Sequence, residues 1–353
     1  MRGDSLTGKT RIGILTGGGD CPGLNAAIRS TAKTAINYGY EVIGIHNAWE
    51  GFFNDDTEVL DSARTSGIID RGGTILGTSR VSPLRMENGP QMVFDGFRKL
   101  GLEALVVLGG EGTLTVTTRL FQMGLPVIGI PKTIDNDVMG TDYTIGFQTA
   151  VEIATNALDR LRSTAASHHR VMLLEVMGRH TGWIATYAGM ANGADAILIP
   201  EIPVNEKSMS NLCRMLQRRN RIDRSFSIVV VAEGTKLDDE LVNQGTSKAS
   251  NGRVYHRGGV GAVIGGLIEE RTGLETRVSS LDYIQRGGTP VAYDRNLAIE
   301  FGVRATRLAK EKRYGLMTAL RGNSIVTSKL ENIAGHIKEV NIKVYKIAEL
   351  FFG

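Results

Sequence analysis

Residues 11–25 read RIGILTGGGDCPGLN. Arg11–Thr16 is a short run rich in Ile and Leu without alternation of apolar and polar residues, the pattern of a parallel strand covered on both faces. Three glycines follow at once, and Pro22 stands where the first turn of a helix accepts a residue without an N–H. The segment is therefore a strand, a tight turn and the start of a helix. Glycines in such a turn let backbone N–H groups approach a phosphate. The pattern is neither the Gly-x-Gly-x-x-Gly dinucleotide fingerprint nor a P-loop, which ends in Gly-Lys-Ser/Thr. By itself it leaves a phosphate cradle and a ligand-free turn equally open.

The same unit recurs along the chain. Val42–His46, Ala104–Leu108, Val127–Ile130, Val171–Val176, Ala196–Ile199, Ser227–Ala232 and Thr276–Leu281 read as further strands. Leu24–Tyr38, Phe147–Ser163, Thr181–Ala191 and Val260–Arg271 read as amphipathic helices between them. Repeated βαβ units predict an α/β fold of two doubly wound, mainly parallel sheets. Leu237–Arg257, a cluster of Asp, Asn, Gly, Ser and Lys without period, reads as a surface loop before the glycine-rich start of a helix at Gly258. No linker composition marks a domain boundary.

Composition narrows the function. The chain of 353 residues is long enough for two domains, and its 42% hydrophobic and 22% charged content is that of a globular protein. Its 44 glycines against 8 prolines suit many tight strand-to-helix turns. A net charge of +4 without a long basic run suggests no nucleic-acid partner. Cys21 and Cys213 have no metal-ligand spacing and fit a reducing compartment. No stretch resembles a signal peptide or a membrane span, so a cytoplasmic location is expected.

Three further motifs carry chemistry. Leu108–Leu114 (LGGEGTL) follows a strand and opens a helix, and a carboxylate held there, Glu111, can take a hard cation such as Mg2+ or simply serve the helix dipole. Pro131–Asp137 (PKTIDND) packs a cation, a hydroxyl, an amide and two carboxylates behind a strand. A loop that merely turns needs no Lys and Thr beside its Asp and Asn. Two carboxylates two residues apart can divide base and metal duties. Glu175–Trp183 (EVMGRHTGW) is a strand end with Gly-Arg before a helix. Arg80, Arg170, Glu233, Arg277 and Arg286 are single candidates, the arginines for bidentate phosphate binding.

Taken in order, TGGGDCPGLNAAIR, GGEGT, PKTIDND, MGR and IQRGGTPVAYDR resemble the bacterial 6-phosphofructokinases from residue 11 to about residue 323. The resemblance implies transfer of a phosphoryl group from ATP to the 1-hydroxyl of fructose 6-phosphate. It implies Asp135 as the base, Thr133 on the reacting groups, and Glu111 on Mg2+ with help from Asp137 through water. Arg80 neutralises charge developing on the donor, and Arg179 is the further catalytic candidate. Gly18, Gly19, Val81, Gly110, Gly112 and Thr113 lie along the nucleotide. Ile134, Met177, Gly178, Arg179 and Glu233 hold the sugar, and Arg170, Arg277, Tyr283 and Arg286 its phosphate. It further implies a nucleotide-binding domain of residues 1–146 with about 285–335, and a sugar-phosphate-binding domain of 147–284 with the C-terminal segment. Residues matching Arg170 and Arg277 reach across from a neighbouring subunit in the family, which implies a homotetramer.

The chain departs from the ATP-dependent bacterial pattern at four points. Glu111 replaces the usual Asp, Lys132 a Gly and Tyr283 a His, and the stretch between Glu233 and Arg277 is longer. Glu111, Lys132 and the longer stretch resemble the branch whose members use either ATP or pyrophosphate. Pyrophosphate users carry Asp at the position of Gly112, where a carboxylate would repel the α-phosphate of ATP. Gly112 therefore favours ATP, while Lys132 suits a small, highly charged donor. Arg29, Arg162 and Asp195 match positions that bind a nucleotide effector, but an Arg expected near Phe53–Thr57 is absent. An NAD or lipid kinase, or a catalytically silent regulatory subunit, is the competing expectation.

Overall fold

The structure is a computed structural model that describes residues 9–222, 226–242 and 259–353. Its first elements are β1 (Arg11–Thr16), α1 (Leu24–Asn37), β2 (Glu41–Ile45), α2 (Glu50–Phe53), β3 (Thr57–Val59), α3 (Gly89–Lys99), β4 (Leu102–Gly109), α4 (Glu111–Gln122) and β5 (Val127–Pro131). There follow α5 (Phe147–His168), β6 (Val171–Val176), α6 (Trp183–Asn192), β7 (Ala196–Leu198), α7 (Glu206–Arg221) and β8 (Ser227–Ala232). The chain ends with α8 (Val260–Thr272), β9 (Thr276–Ser280), α9 (Ala292–Lys310), β10 (Leu316–Arg321), β11 (Ser324–Lys329) and α10 (Ile342–Glu349). No helix among the described residues is long and apolar enough to cross a membrane.

The chain divides into two compact units, Met1–Gln148 with Arg286–Ile337 and Thr149–Gln285 with Lys338–Gly353. The first cut falls inside α5, one continuous helix, so no linker marks it in the sequence.

The first unit holds a seven-stranded sheet in the order β11-β10-β5-β4-β1-β2-β3. Strands β10, β5, β4, β1 and β2 run parallel, and β11 and β3 are antiparallel edges. In β1, Ile12, Ile14 and Leu15 are all fully buried, which is why that strand shows no alternation. The chain winds one way from β1 through β2 and the other way through β4 and β5. The turns after β1 and β4 therefore emerge side by side at the carboxyl ends, the topological switch point where open α/β sheets bind ligands.

The second unit holds four parallel strands in the order β7-β8-β6-β9. Its switch lies between β6 and β9, so the segments after these strands, from Met177 and from Leu281, again emerge together.

The mainly parallel α/β architecture is the one read from the sequence, with three strands added. The strand β3 has three residues on an antiparallel edge, and β10–β11 is an antiparallel hairpin of part-polar residues. The helix α5 runs on to His168, past the Ser163 end expected for it. The loop expected over Leu237–Arg257, with Gly258 beyond it, lies outside the described residues from position 243. Its described part is not loop throughout: Leu237 bridges to Val204, and Leu241 is buried in a helical turn over 239–242.

Candidate functional site

In the first unit the Gly17–Asp20 turn is tied down on several sides. The Gly17 N–H donates to Leu108 O at 2.9 Å, holding the turn beside β4. A Cβ on Gly17 would stand 2.8 Å from the Thr113 side chain, so Thr113 packs beneath the turn. Gly18 adopts φ 82, a left-handed conformation that glycine takes without strain. Its N–H donates to Ser79 O at 3.0 Å, and its carbonyl accepts from Thr78 Oγ1 at 2.5 Å. Arg80 and Val81 follow Ser79 directly and are exposed. A long gap in sequence thus closes to direct hydrogen bonds.

Two cations stand on this turn. Lys132 is 1% exposed, and its Nζ donates to Gly19 O at 2.5 Å. Burial pulls its ammonium down to about 8, with the Arg286 charge acting in the same direction. The Arg286 guanidinium lies against the other side: a Cβ on Gly19 would be 2.5 Å from its Nη1, which donates to Asp20 O at 3.3 Å. Arg286, expected on the sugar phosphate, is thus grouped with Gly18, Gly19 and Lys132. Cys21, beside them, is buried and donates from Sγ to Ile145 O at 3.3 Å. Burial pushes its thiol up to about 12, which leaves it unreactive.

The Pro131–Asp137 loop continues from β5 and is anchored by its neighbours. The Lys132 N–H donates to Gly109 O at 3.0 Å and the Thr133 N–H to Ile145 O at 3.1 Å. Asn136 takes a left-handed φ of 51, which Asn tolerates, and is fully buried. Its Oδ1 accepts from Thr144 N at 3.1 Å, and its Nδ2 donates to Asp142 O at 3.3 Å. Asn136 is therefore the residue that fixes the loop. Thr133 and Asp135 are only half-buried, with Asp135 N–H donating to Thr133 Oγ1 at 3.2 Å. Ile134 is fully buried and Asp137 is buried to 9% exposure.

The N-terminus of α4 lies beside this loop. A Cβ on Gly110 would be 3.6 Å from Lys132 O and from Thr133 Cβ. Glu111 is half-buried, and its Oε1 accepts from Thr115 Oγ1 at 2.7 Å and from Gly335 N at 3.2 Å. A Cβ on Gly112 would meet nothing within 4 Å. Among the described residues no three His, Cys, Asp or Glu side chains stand together as a metal cage. Mg2+ usually binds through one or two carboxylates and the substrate's phosphates rather than an all-protein cage. A single oriented carboxylate at a helix N-terminus fits that mode.

In the second unit Met177, Gly178 and Arg179 leave the end of β6. Gly178 has φ 142, and a Cβ there would be 2.5 Å from Thr181 O. Its carbonyl accepts from Gly234 N at 3.1 Å, and Val176 O accepts from Glu233 N at 2.8 Å. Glu233 is thereby set beside the Met177–Arg179 turn. Arg179 is exposed, and Tyr283 is 71% exposed. Glu175, just before, is a buried carboxylate that accepts from Gly261 N at 2.6 Å at the start of α8. Burial raises its pKa, and the nearby carboxylates of Glu233 and Asp282 add to the effect.

Arg170 and Arg277 lie elsewhere. Both pair with Glu275, Arg170 Nε at 2.7 Å and Arg277 through Nη2, and together they hold its carboxyl below the usual range. These residues sit at the amino ends of β6 and β9. The six residues of β6 lie between Arg170 and Met177, an extended span of roughly 20 Å. One chain's two arginines are therefore remote from its own Met177–Arg179 turn.

Of the effector-matching residues, Asp195 forms a buried ion pair with Arg219 at 2.6 Å and accepts from Ile228 N at 2.8 Å. Arg162 donates to Asn192 O at 2.5 Å. Glu275, Gln285, Thr78 and Ser79 are placed at these sites by the structure alone. Only Gln285 had a signal in the sequence, an amide inside the IQRGG motif.

Glycine turns and cations at the carboxyl ends of doubly wound parallel sheets define an α/β protein that handles phosphate groups. The comparisons narrow the class. The sequence pattern of the family described as Phosphofructokinase matches residues 11–309, and the chain belongs to that family. It is 44% identical to the pyrophosphate–fructose 6-phosphate 1-phosphotransferase of Dictyoglomus thermophilum, over 98% of this chain and 99% of that one. It is 47% identical to the ATP-dependent 6-phosphofructokinase of Chloroflexus aurantiacus, over 94% and 93%. Among solved structures it resembles Pichia pastoris phosphofructokinase in the T-state, with 31% identity and a TM-score of 0.80. That match covers 99% of this chain but 37% of the yeast chain.

Proposed function

We propose that this chain transfers a phosphoryl group to the 1-hydroxyl of fructose 6-phosphate, giving fructose 1,6-bisphosphate, with ATP as the donor. The observation that carries the reading is the geometry of Thr133 and Asp135. A rigid loop holds both half-exposed, beside the Gly110 turn at the switch point of a sheet. Asp135 takes the proton of the sugar's 1-hydroxyl as that oxygen bonds to the terminal phosphorus and the bond to the leaving phosphate breaks. Thr133 donates a hydrogen bond to the transferring group. Arg80 and Arg179 balance the charge that develops, and positioning supplies the rest. Glu111, assisted by Asp137, is the carboxylate that fits Mg2+, which when bound neutralises the donor's phosphates. Lys132 and Arg286 add two positive charges at the turn that faces them.

On this reading the first unit binds nucleotide and the second binds the sugar phosphate through Met177, Gly178, Arg179 and Glu233. The separation of Arg170 and Arg277 from Met177 supports their serving a neighbouring copy, and hence a homotetramer. A cytoplasmic, glycolytic role accords with this chemistry.

ATP is favoured by Gly112, where the structure leaves open space next to Glu111. Pyrophosphate is the second reading. It is supported by Lys132 and by the name of the Dictyoglomus relative. Against it, the Lys132 ammonium is engaged by Gly19 O, so it shapes the turn as well as adding charge. Coupled assays of fructose 1,6-bisphosphate formation with each donor separate the two readings. Turnover with pyrophosphate and none with ATP would overturn the choice.

A further inference from the structure

Strand β6 loses its neighbour where the Met177–Arg179 turn begins. The strand β9 pairs with it from Val171↔Thr276 to Glu175↔Ser280. At the first end Val171 N–H donates to Glu275 O at 3.0 Å, and at the other Leu281 N–H donates to Glu175 O at 3.1 Å. The same register carried upward would give the Met177 N–H to Leu281 O. The chain leaves the strand path at this point: it tightens into a 3-10 turn over Asp282–Arg286, where Leu281 O accepts from Ile284 N–H at 2.9 Å. A main-chain N–H at the edge of a core, left without its acceptor, is costly.

The Gln285 side chain fills the gap. It is fully buried, and its Oε1 accepts from Met177 N at 2.7 Å. Tyr283 and Ile284, on the same turn, are 71% and 67% exposed, so the polar amide is inside while two large apolar side chains stay in water. That inversion of the usual order calls for a reason beyond packing.

We propose that Gln285 is a positioning residue for the sugar phosphate: its side-chain carbonyl replaces the missing strand and fixes the Met177 peptide. The effect passes on over a short path. Gly178 is held at φ 142 with its carbonyl on Gly234 N, so rotation of the Met177 peptide would carry Gly178 and Arg179 with it. The inference rests on the reading of Met177–Arg179 as part of the sugar grip.

The test is Gln285→Met, which keeps the side chain's length and volume and removes its strong acceptor. Fructose 6-phosphate binding, measured by calorimetry, and its KM weaken about 10-fold, the scale of one orphaned buried N–H. The donor's KM stays within about 3-fold of the unaltered protein. Unchanged sugar affinity, or equal weakening toward sugar and donor, overturns the proposal. Should the variant not fold, amide hydrogen exchange on the unaltered protein decides. Met177 N–H protected like Glu175 N–H supports the bond, and exchange at the rate of an exposed loop amide refutes it. If the unaltered protein binds no fructose 6-phosphate, the reading of the grip fails, while the exchange result still tests the bond.

Discussion

Replacing Lys132 with Met probes a buried charge whose cost can be worked out. Burial lowers the ammonium from 10.5 to about 8. At roughly 1.4 kcal/mol per pH unit, holding the charged form inside costs about 3 kcal/mol. Below pH 8 the folded and unfolded chains both carry the proton, and the whole cost is present. Above pH 10.5 neither does, and the cost is gone. Between these values the unfolded chain binds more protons, so this residue makes stability rise with pH. The hydrogen bond to Gly19 O offsets part of the cost, as one donated by a charged group contributes about 1.5–3 kcal/mol. Lys132→Met therefore lies within about 2 kcal/mol of the parent at pH 7. The parent then gains about 3 kcal/mol relative to the variant by pH 10.5. The Cys21 thiol, held up to about 12, acts in the opposite direction from pH 9 upward, and because its charge and that of Lys132 bear on each other, the comparison is made with Cys21→Ser in both proteins. Urea unfolding at several pH values, followed by circular dichroism, measures it. A difference that stays flat from pH 7 to 10.5, or slopes the other way, would refute the assignment of Lys132 as a buried cation.

Four further outcomes are expected. Asp135→Ser lowers kcat by about 10^2–10^4 while KM for fructose 6-phosphate stays within about 3-fold; steady-state kinetics that show turnover close to the parent's would remove Asp135 as the base. Gly112→Asp folds with a melting temperature close to the parent's, because its Cβ meets nothing, yet loses about 10-fold or more in kcat/KM for ATP through repulsion at the phosphates. Gly261→Ala, whose Cβ would stand 2.8 Å from Glu175 Oε2, destabilises by about 1–3 kcal/mol in chemical denaturation. Gly266→Ala, in the same helix with open space around it, instead stabilises by about 0.5–1 kcal/mol, and equal effects of the two would contradict the packing of Glu175 on α8.

The sheets were legible because their strands are buried on both faces, which leaves apolar runs such as Arg11–Thr16 and Ser227–Ala232 with little competing signal. Strand β3 and the β10–β11 hairpin escaped because short or antiparallel edge strands mix polar and apolar residues. Composition carries no mark of the unit boundary because it falls inside α5, where helical periodicity is uninterrupted. At the site, Pro131–Asp137 could be read as chemical because it holds more functional groups than a turn needs. Which of them point outward could not. Asn136 holds the loop, Lys132 is spent on Gly19 O, and Thr133 and Asp135 stay half-exposed. In the sequence Gln285 is one letter of a motif, and only the fold brings its amide oxygen to the Met177 N–H. Arg286 shows the converse: its type was informative, but its contact with Gly19 and Asp20 depends on tertiary packing.

The most direct test of the account is the rate of fructose 1,6-bisphosphate formation by the purified protein with Mg2+ and fructose 6-phosphate, measured separately with ATP and with pyrophosphate. The account predicts turnover with ATP that Asp135→Ser abolishes almost entirely. Turnover confined to pyrophosphate would contradict the choice of donor, and no bisphosphate with either donor would contradict the reaction itself.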